Sequence, residues 1–287
     1  MDAEKCRALL WAIELGNLSE TAEKLGYTPS GISRMMASME TETGFPLLVR
    51  SRTGVAPTEE CLHLLPIIRE MARLGEVFRQ KTDDIQGIHV GTVRIGTAYT
   101  YYYPLIGDVI SAFSKKYPQV KVELQENFST ILADKLSRHE IDIAVISHRD
   151  GDFDWIPLIE DPLIAWVPES FLPGEEIYPL KRFETDSFIE IFPGGESDNS
   201  RFFARENIRP NARYSALTTF SGWSMVEAGL GVTLTNNLYR NSWHGKVRAL
   251  KTDIEYKVPI GIAVSKKEIC SPAAGKFMEE LIREINQ

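Results

Sequence analysis

The sequence predicts a helical N-terminal unit, one long connecting helix, and an α/β region filling the rest of the chain. Three observations lead there. Apolar residues recur with helical spacing up to about Thr58, broken by glycines and cap residues. From Thr58 to about Ile85 the apolar spacing alternates four and three. From Thr92 onward short apolar runs alternate with helical patterns, the order that builds a mostly parallel sheet.

Residues Ala3 to Leu15 place Cys6, Leu9, Leu10 and Ile13 on one helical face, and Gly16 ends the helix. Asn17 caps a second, short helix, and Glu20 three residues on suits a capping box. Ala22 and Leu25 face inward, and Gly26 is the stop. Thr28-Pro29 opens a third helix: threonine caps it, and proline at the first helical position has no N–H to leave unpaired. That helix runs to about Thr43, with Ile32, Met36 and Met39 inward and Gly44 closing it. Ser30, Ser33 and Arg34 then lie on the outer side of its first two turns, where a helix entering the DNA major groove meets base edges and phosphates. The competing reading is an ordinary three-helix bundle without a partner. Leu47 to Val55 reads as a hairpin turning at Thr53-Gly54, a wing that can lay Arg50 and Arg52 along a phosphate backbone or into a minor groove.

The next stretch carries Leu64, Ile68, Met71, Gly75, Phe78, Thr82 and Ile85 as a heptad seam, weak at Gly75 and Thr82. Such a helix spans on the order of 40 Å, and Pro66 should kink it near its start. It either packs on its own chain or pairs with a second copy, so that two DNA heads face two half-sites.

Beyond it, strands are expected at Val93–Gly96, Val120–Leu124, Ile141–Ile146, Leu163–Val167, Phe188–Phe192, near Tyr214, at Val232–Thr235 and at Pro259–Val264. Helices are expected around Ile106–Phe113, Ile131–Leu136, Asn199–Glu206, Phe220–Ala228 and Pro272–Ile285. Open α/β sheets bind ligands at the carboxyl ends of their strands, where helix N-termini present free N–H groups. Those ends hold Thr97 to Thr100, Asn127 to Ser129, Ser147 to Arg149, Gly194-Gly195 and Thr218-Thr219. The candidate ligand contacts are Thr97, Tyr99, Thr100, Ser129, Ser147, Arg149, Arg201 and Thr219. Hydroxyls and backbone donors favour a carboxylate-bearing molecule, with Arg149 or Arg201 as counter-charge. Tyr99, Tyr101, Tyr102 and Tyr103 either stack on a flat ligand or, the favoured reading, alternate into the core.

Composition bounds the function. A chain of 287 residues, 43% hydrophobic and 25% charged, has a soluble globular make-up with room for about two domains or more. No apolar run nears the roughly 18 residues that span a membrane, and the N-terminus lacks a small-residue cleavage site, so a cytoplasmic location is expected. Cys6, Cys61 and Cys270 are far apart and without metal-ligand spacing, which fits reduced, buried or half-buried thiols. The net charge of −8 argues against nonspecific coating of nucleic acid. Locally, however, Lys24 to Ser38 and Thr43 to Thr58 contain no acid. Neither a nucleophile elbow nor a phosphate loop is present, the five histidines form no metal-spaced set, and Gly229-Leu230-Gly231 lacks the further glycine of a dinucleotide site. No metal or cofactor is therefore expected. Asp142 and Asp152 to Asp154 read as a solvated face.

The order NLSETAEKLGYTPSGISRMMASME, a wing with LLVRSR, then PTEECLHLLP leading into a long helix resembles the LysR-type transcriptional regulators. The resemblance covers the whole chain and continues through GTVRIG, AFSKKYPQVKVEL, LSRHEIDIAV and MVEAGLGVTLT. It implies a winged helix–turn–helix over residues 1–58, a linker and dimerisation helix over 59–90, and a two-lobed periplasmic-binding-protein-like effector domain over 91–287. Lobe I would hold 91–163 and 265–287 and lobe II 164–264, with the chain crossing near Ile164 and Ile262. It puts DNA contacts at Thr28, Pro29, Ser30, Ser33, Arg34, Arg50 and Arg52. Double-stranded DNA, a small-molecule effector, a homodimer or homotetramer and RNA polymerase are the implied partners, with no membrane. Three departures stand out: Pro29 replaces the usual glutamine and removes a polar reader, Gly31 replaces an alanine, and Cys61 stands where glycine is common. A solute-binding protein leaves the first ninety or so residues unexplained, and a cytoplasmic α/β enzyme has no evident nucleophile.

Overall fold

The structure is a computed structural model that describes residues 1–51, 54–86, 90–171, 173–266 and 270–285. Helices α1 (Ala3–Leu15), α2 (Leu18–Leu25) and α3 (Pro29–Thr43) form a bundle closed by Leu9, Ile32, Met36 and Met39, all fully buried. Gly16, Gly26 and Gly44 end them at φ +63°, +71° and +83°. Asn17 caps α2 through the Ser19 and Glu20 N–H groups. The Glu20 carboxylate accepts from the Asn17 side-chain amide at 3.0 Å rather than from its backbone, so the expected capping box is a variant.

Strands β1 (Leu48–Ser51) and β2 (Gly54–Pro57) make the wing, with Arg50 opposite Val55 and Ser51 opposite Gly54. Gly54 is thus a strand residue, not part of the turn as expected; Thr53 lies outside the described residues. Glycine is required there: at φ +129°, a Cβ would sit 2.2 Å from the Gly16 carbonyl oxygen. The Val55 N–H donates to that oxygen at 2.8 Å, so the wing closes directly on the end of α1.

Thr58 starts α4 (Glu59–Ile85), accepting from the Cys61 N–H and donating to the Pro46 carbonyl. The helix runs through Pro66. Its expected seam is only partly right. Ile68 and, in part, Leu64 and Met71 pack into the N-terminal bundle, and Gly75 abuts Ala3. Ile67, Leu74, Phe78 and Ile85 remain 61%, 42%, 72% and 87% exposed. With Met71 they form a second row at spacings of four, three, four and seven, a heptad face one step round the helix.

The α/β region comprises β3 (Gly91–Thr97), α5 (Tyr103–Lys116), β4 (Val120–Glu126), α6 (Ser129–Ser137), β5 (Ile143–Ser147), β6 (Asp154–Pro168), β7 (Ile177–Tyr178), β8 (Phe188–Ile191), α7 (Asp198–Arg205), β9 (Ala212–Ala216), α8 (Thr219–Glu227), β10 (Thr233–Asn236), β11 (Val247–Thr252), β12 (Lys257–Val264) and α9 (Pro272–Ile285). Strands β4, β3 and β5 are parallel, but β12 runs antiparallel to both β5 and β6, so the sheet is mixed rather than mostly parallel.

Strand β6 joins two half-sheets. Asp154 to Pro162 pairs with β12, and Leu163 to Pro168 pairs with β10 and β11. The chain crosses at Pro162–Leu163, beside the expected Ile164. It returns between Thr252 and Lys257, not near Ile262, because Ile262 is paired with Val145 in the middle of β12. Val93, Phe113, Ile143 and Phe277 anchor the core of the first half, and Tyr178, Phe183, Phe188 and Phe202 that of the second. Each such side chain contributes about 1.5–3 kcal/mol on burial.

Helix α4 is tied to this region by Glu70, which accepts from His139 Nε2 at 2.7 Å, and by an Asp84–Lys276 pair. Asp142 is not on a solvated face. Its carboxylate accepts the Arg94 N–H at 2.7 Å, and burial pushes its pKa up.

Candidate functional site

The first face lies on α3. Thr28, Pro29, Ser30 and Arg34 are exposed and Ser33 is partly so. Thr28 accepts the Gly31 N–H at 3.1 Å and sits 3.2 Å from the Ser30 hydroxyl, so its oxygen is largely committed to the cap. The Arg34 guanidinium reaches back to the Ser30 carbonyl at 3.4 Å, a weak tether. Arg50 is exposed on the wing, and Arg52 lies outside the described residues. Glu40, an acid between the two acid-free windows, positions the wing. Its Oε1 accepts the N–H groups of Leu47 at 2.9 Å and Leu48 at 3.2 Å, fixing β1 against α3.

The second site lies between the half-sheets. The carboxyl ends of β3 and β5 and the amino end of α6 face the amino ends of α7 and α8 across a cavity of about 420 Å³. Phe128, Phe192, Ile191 and Leu217 give it apolar walls. The two sides meet at Asp198, the first residue of α7. Its Oδ2 accepts from Tyr99 Oη at 2.6 Å, and its Oδ1 accepts from the Ser147 hydroxyl at 2.7 Å and from Arg149 Nη2 at 3.4 Å. Arg149 also donates to Ser147 Oγ, Thr130 Oγ1 and the His148 carbonyl. Burial, then the Asp198 carboxylate, holds the Tyr99 hydroxyl protonated far into the basic range.

Four of the eight expected ligand contacts, Tyr99, Ser129, Arg149 and Thr219, line the cavity. Ser147 lies one hydrogen bond behind, joined to Ser129 Oγ at 3.0 Å. Thr97 is buried beneath Tyr99, donating to its carbonyl. Thr100 is 3.4 Å from the Tyr239 hydroxyl and off the lining. Arg201 sits outside, 3.6 Å from Glu196. The tyrosines divide: Tyr99 is buried, Tyr102 is partly buried, and Tyr101 is exposed edge-on to Tyr102 and Tyr239. Tyr103 donates to Glu126. Asp198 and Thr235 were missed. An acid in the first turn of a helix is an ordinary complement to its dipole, and nothing local points to partners 49, 51 and 99 residues away.

A winged helix–turn–helix joined by a long helix to a two-lobed α/β cleft is the build of a DNA-binding regulator with an effector domain. The family profile described as bacterial regulatory helix-turn-helix protein, lysR family, matches residues 4–62, and that of the LysR substrate binding domain matches residues 86–286. The chain belongs to the LysR family of transcriptional regulators and is not an enzyme. It is similar over its whole length to the uncharacterised regulator YybE of Bacillus subtilis, with 23% identity and all of that protein covered. Its fold is that of a full-length OxyR variant from Pseudomonas aeruginosa, at a TM-score of 0.74, 19% identity, and 100% and 95% coverage of the two chains. The fold also matches full-length CbnR complexed with its target DNA, at a TM-score of 0.61, 18% identity, and 99% and 100% coverage. No helix among the described residues is long and apolar enough to cross a membrane.

Proposed function

We propose that the chain reads double-stranded DNA with the amino end of α3 and is switched by a small molecule bound in the cleft. Residues 1–58 are the DNA head, 59–90 the linker and 91–287 the effector domain. Ser30, Ser33 and Arg34 reach the major groove, Thr28 and Pro29 set the helix start, and Arg50 with Arg52 follows the backbone. The observation that carries this reading is the exposure of the first two turns of α3 beside a wing that Glu40 locks in place.

The row of exposed Ile67, Leu74, Phe78 and Ile85 with the half-buried Met71 supports pairing of two copies along α4, a dimer that can in turn associate into a tetramer. Asp198 bridges the two half-sheets, so a ligand that prefers one lobe arrangement shifts the population of lobe positions and, through α4, the spacing of the heads. RNA polymerase is a partner by the logic of the regulator class alone. A carboxylate effector was the expectation from the hydroxyl-rich strand ends.

The test is a gel-shift assay on the chain's own upstream intergenic DNA at near-physiological salt. A salt-sensitive, sequence-dependent complex is expected, and its absence refutes the reading.

A further inference from the structure

We infer that the cleft takes a ligand with a cationic, ammonium-type group on an apolar body, and that Asp198 already fills the place an anionic ligand would need. This rests on the reading of the cleft as the effector site and adds the chemical class of the effector.

The argument is one of charge pairing. Among the described residues, the cavity is lined by one cation, Arg149, and three carboxylates, Glu126, Glu196 and Asp198. Arg149 and Asp198 are opposed at 3.4 Å with side chains 9% and 14% exposed, so this pair is internal and satisfied. Four guanidinium hydrogen bonds are spent on Asp198, Ser147, Thr130 and the His148 carbonyl. Glu196 has Arg201 at 3.6 Å. Glu126, exposed at the cavity, has a single side-chain hydrogen bond, from the Tyr103 hydroxyl, and no cation within ion-pair distance among the described residues. The uncompensated charge facing the cavity is therefore negative.

The amino ends of α7 and α8, which also face the cavity, are closed by side-chain capping boxes at Ser197 and Thr218, leaving that of α6, with no side-chain cap at Phe128, as the open one. Its fractional positive charge, roughly half a unit, is smaller than the full charge on Glu126. Independent of charge, Thr235 Oγ1 lines the cavity on a residue only 7% exposed and has no hydrogen-bond partner among the described residues. A buried hydroxyl left unpaired is destabilising, so it marks where a polar group of the ligand docks. Phe128, Phe192, Ile191 and Leu217 receive the apolar body.

The experiment is calorimetric titration of the full chain with two matched sets: tyramine, tyrosol and 4-hydroxyphenylacetate; and hexylamine, hexanol and hexanoate. In at least one set the amine should bind more tightly than the alcohol by roughly tenfold, the worth of one charge-assisted hydrogen bond, and the acid should bind weakest. Glu126→Gln should bring the amine down to the level of the alcohol, while Thr235→Val should weaken amine and alcohol alike. Asp198→Asn should free Arg149 and raise affinity for the acid. Preference for the acids by the wild-type chain, absence of amine binding in both sets, or an amine preference that survives Glu126→Gln overturns the inference. A chain that binds no amine yet shifts its upstream DNA loses this inference and keeps the proposed function; one that binds amines but no DNA does the reverse.

Discussion

Tyr99 and Asp198 meet across the cleft, the hydroxyl at the end of β3 donating to the carboxylate at the start of α7 at 2.6 Å. Arg149 stands behind the same carboxylate, nearly enclosed. Asp198→Ala would leave that guanidinium buried without its counter-charge. The expected loss is about 3 kcal/mol, the usual consequence of breaking one side of a buried pair. Asp198→Asn keeps an acceptor for Tyr99 and should cost less. Chemical denaturation reads both, and an unchanged midpoint in Asp198→Ala would show that the bridge is idle.

Glu40 holds the wing against α3 through two backbone N–H groups. Glu40→Ala leaves those donors without an acceptor, at about 1–3 kcal/mol, and frees the wing. DNA affinity should fall although Glu40 is not one of the proposed DNA contacts, whereas Glu40→Gln, which keeps one acceptor oxygen, should fall less. Fluorescence anisotropy with the upstream DNA distinguishes these outcomes from no effect.

His139 links α6 to α4 and predicts a pH dependence. It occupies the left-handed position after α6, at φ +56°, where glycine or asparagine is usual. Its Nε2 bonds Glu70, and its buried Nδ1 has no partner among the described residues. Burial, the largest effect, holds its pKa below the ordinary 6.5, against the opposing pull of Glu70 and Asp152 and with Arg73 adding to the depression. The unfolded chain therefore binds more protons just below 6.5. This stabilisation is complete above that pH and is lost as pH falls through 6.5 toward the folded value. Glu70, held below 4.5 chiefly by its hydrogen bond from Arg73, adds a separate loss at lower pH. His139→Asn keeps the backbone conformation and should remove the upper part of the melting-temperature decline. An identical pH profile would assign that decline elsewhere.

The linker offers a test of which helical face pairs with a second copy. Leu74→Glu, on the exposed row and outside the seam first read from the sequence, should weaken self-association in sedimentation velocity with little change in the stability of the head. Ile68→Ala, buried in the N-terminal core, should cost about 2–5 kcal/mol and leave association unchanged if the head still folds. The reverse pattern would restore the seam first read from the sequence.

That seam shows where sequence legibility ended. A periodicity of four and three marks apolar rows but not which row is core, and α4 carries two. The helices of the head were readable because Gly16, Gly26, Thr28 and Gly44 are local stop and start signals that act within one turn. The first part of β6 was not. Pro157 and Pro162 mark it as a loop, yet they are tolerated because that stretch pairs on one side only, with β12. In the cleft, Tyr99, Ser129, Arg149 and Thr219 were found from their places at strand and helix ends. Asp198 and Thr235 were not, because their role comes from chain segments brought together only by the crossing at β6.

The central claim, that α3 reads DNA while the wing holds the backbone, is tested most directly by anisotropy of wild-type, Arg34→Ala and Arg50→Ala chains on upstream and scrambled DNA across salt concentrations. Arg50→Ala should weaken both DNAs alike and reduce the salt slope by about one. Arg34→Ala should lose about 1–3 kcal/mol on the upstream DNA and narrow the gap to the scrambled one. Wild-type affinity, discrimination and salt slope in both variants would contradict the account.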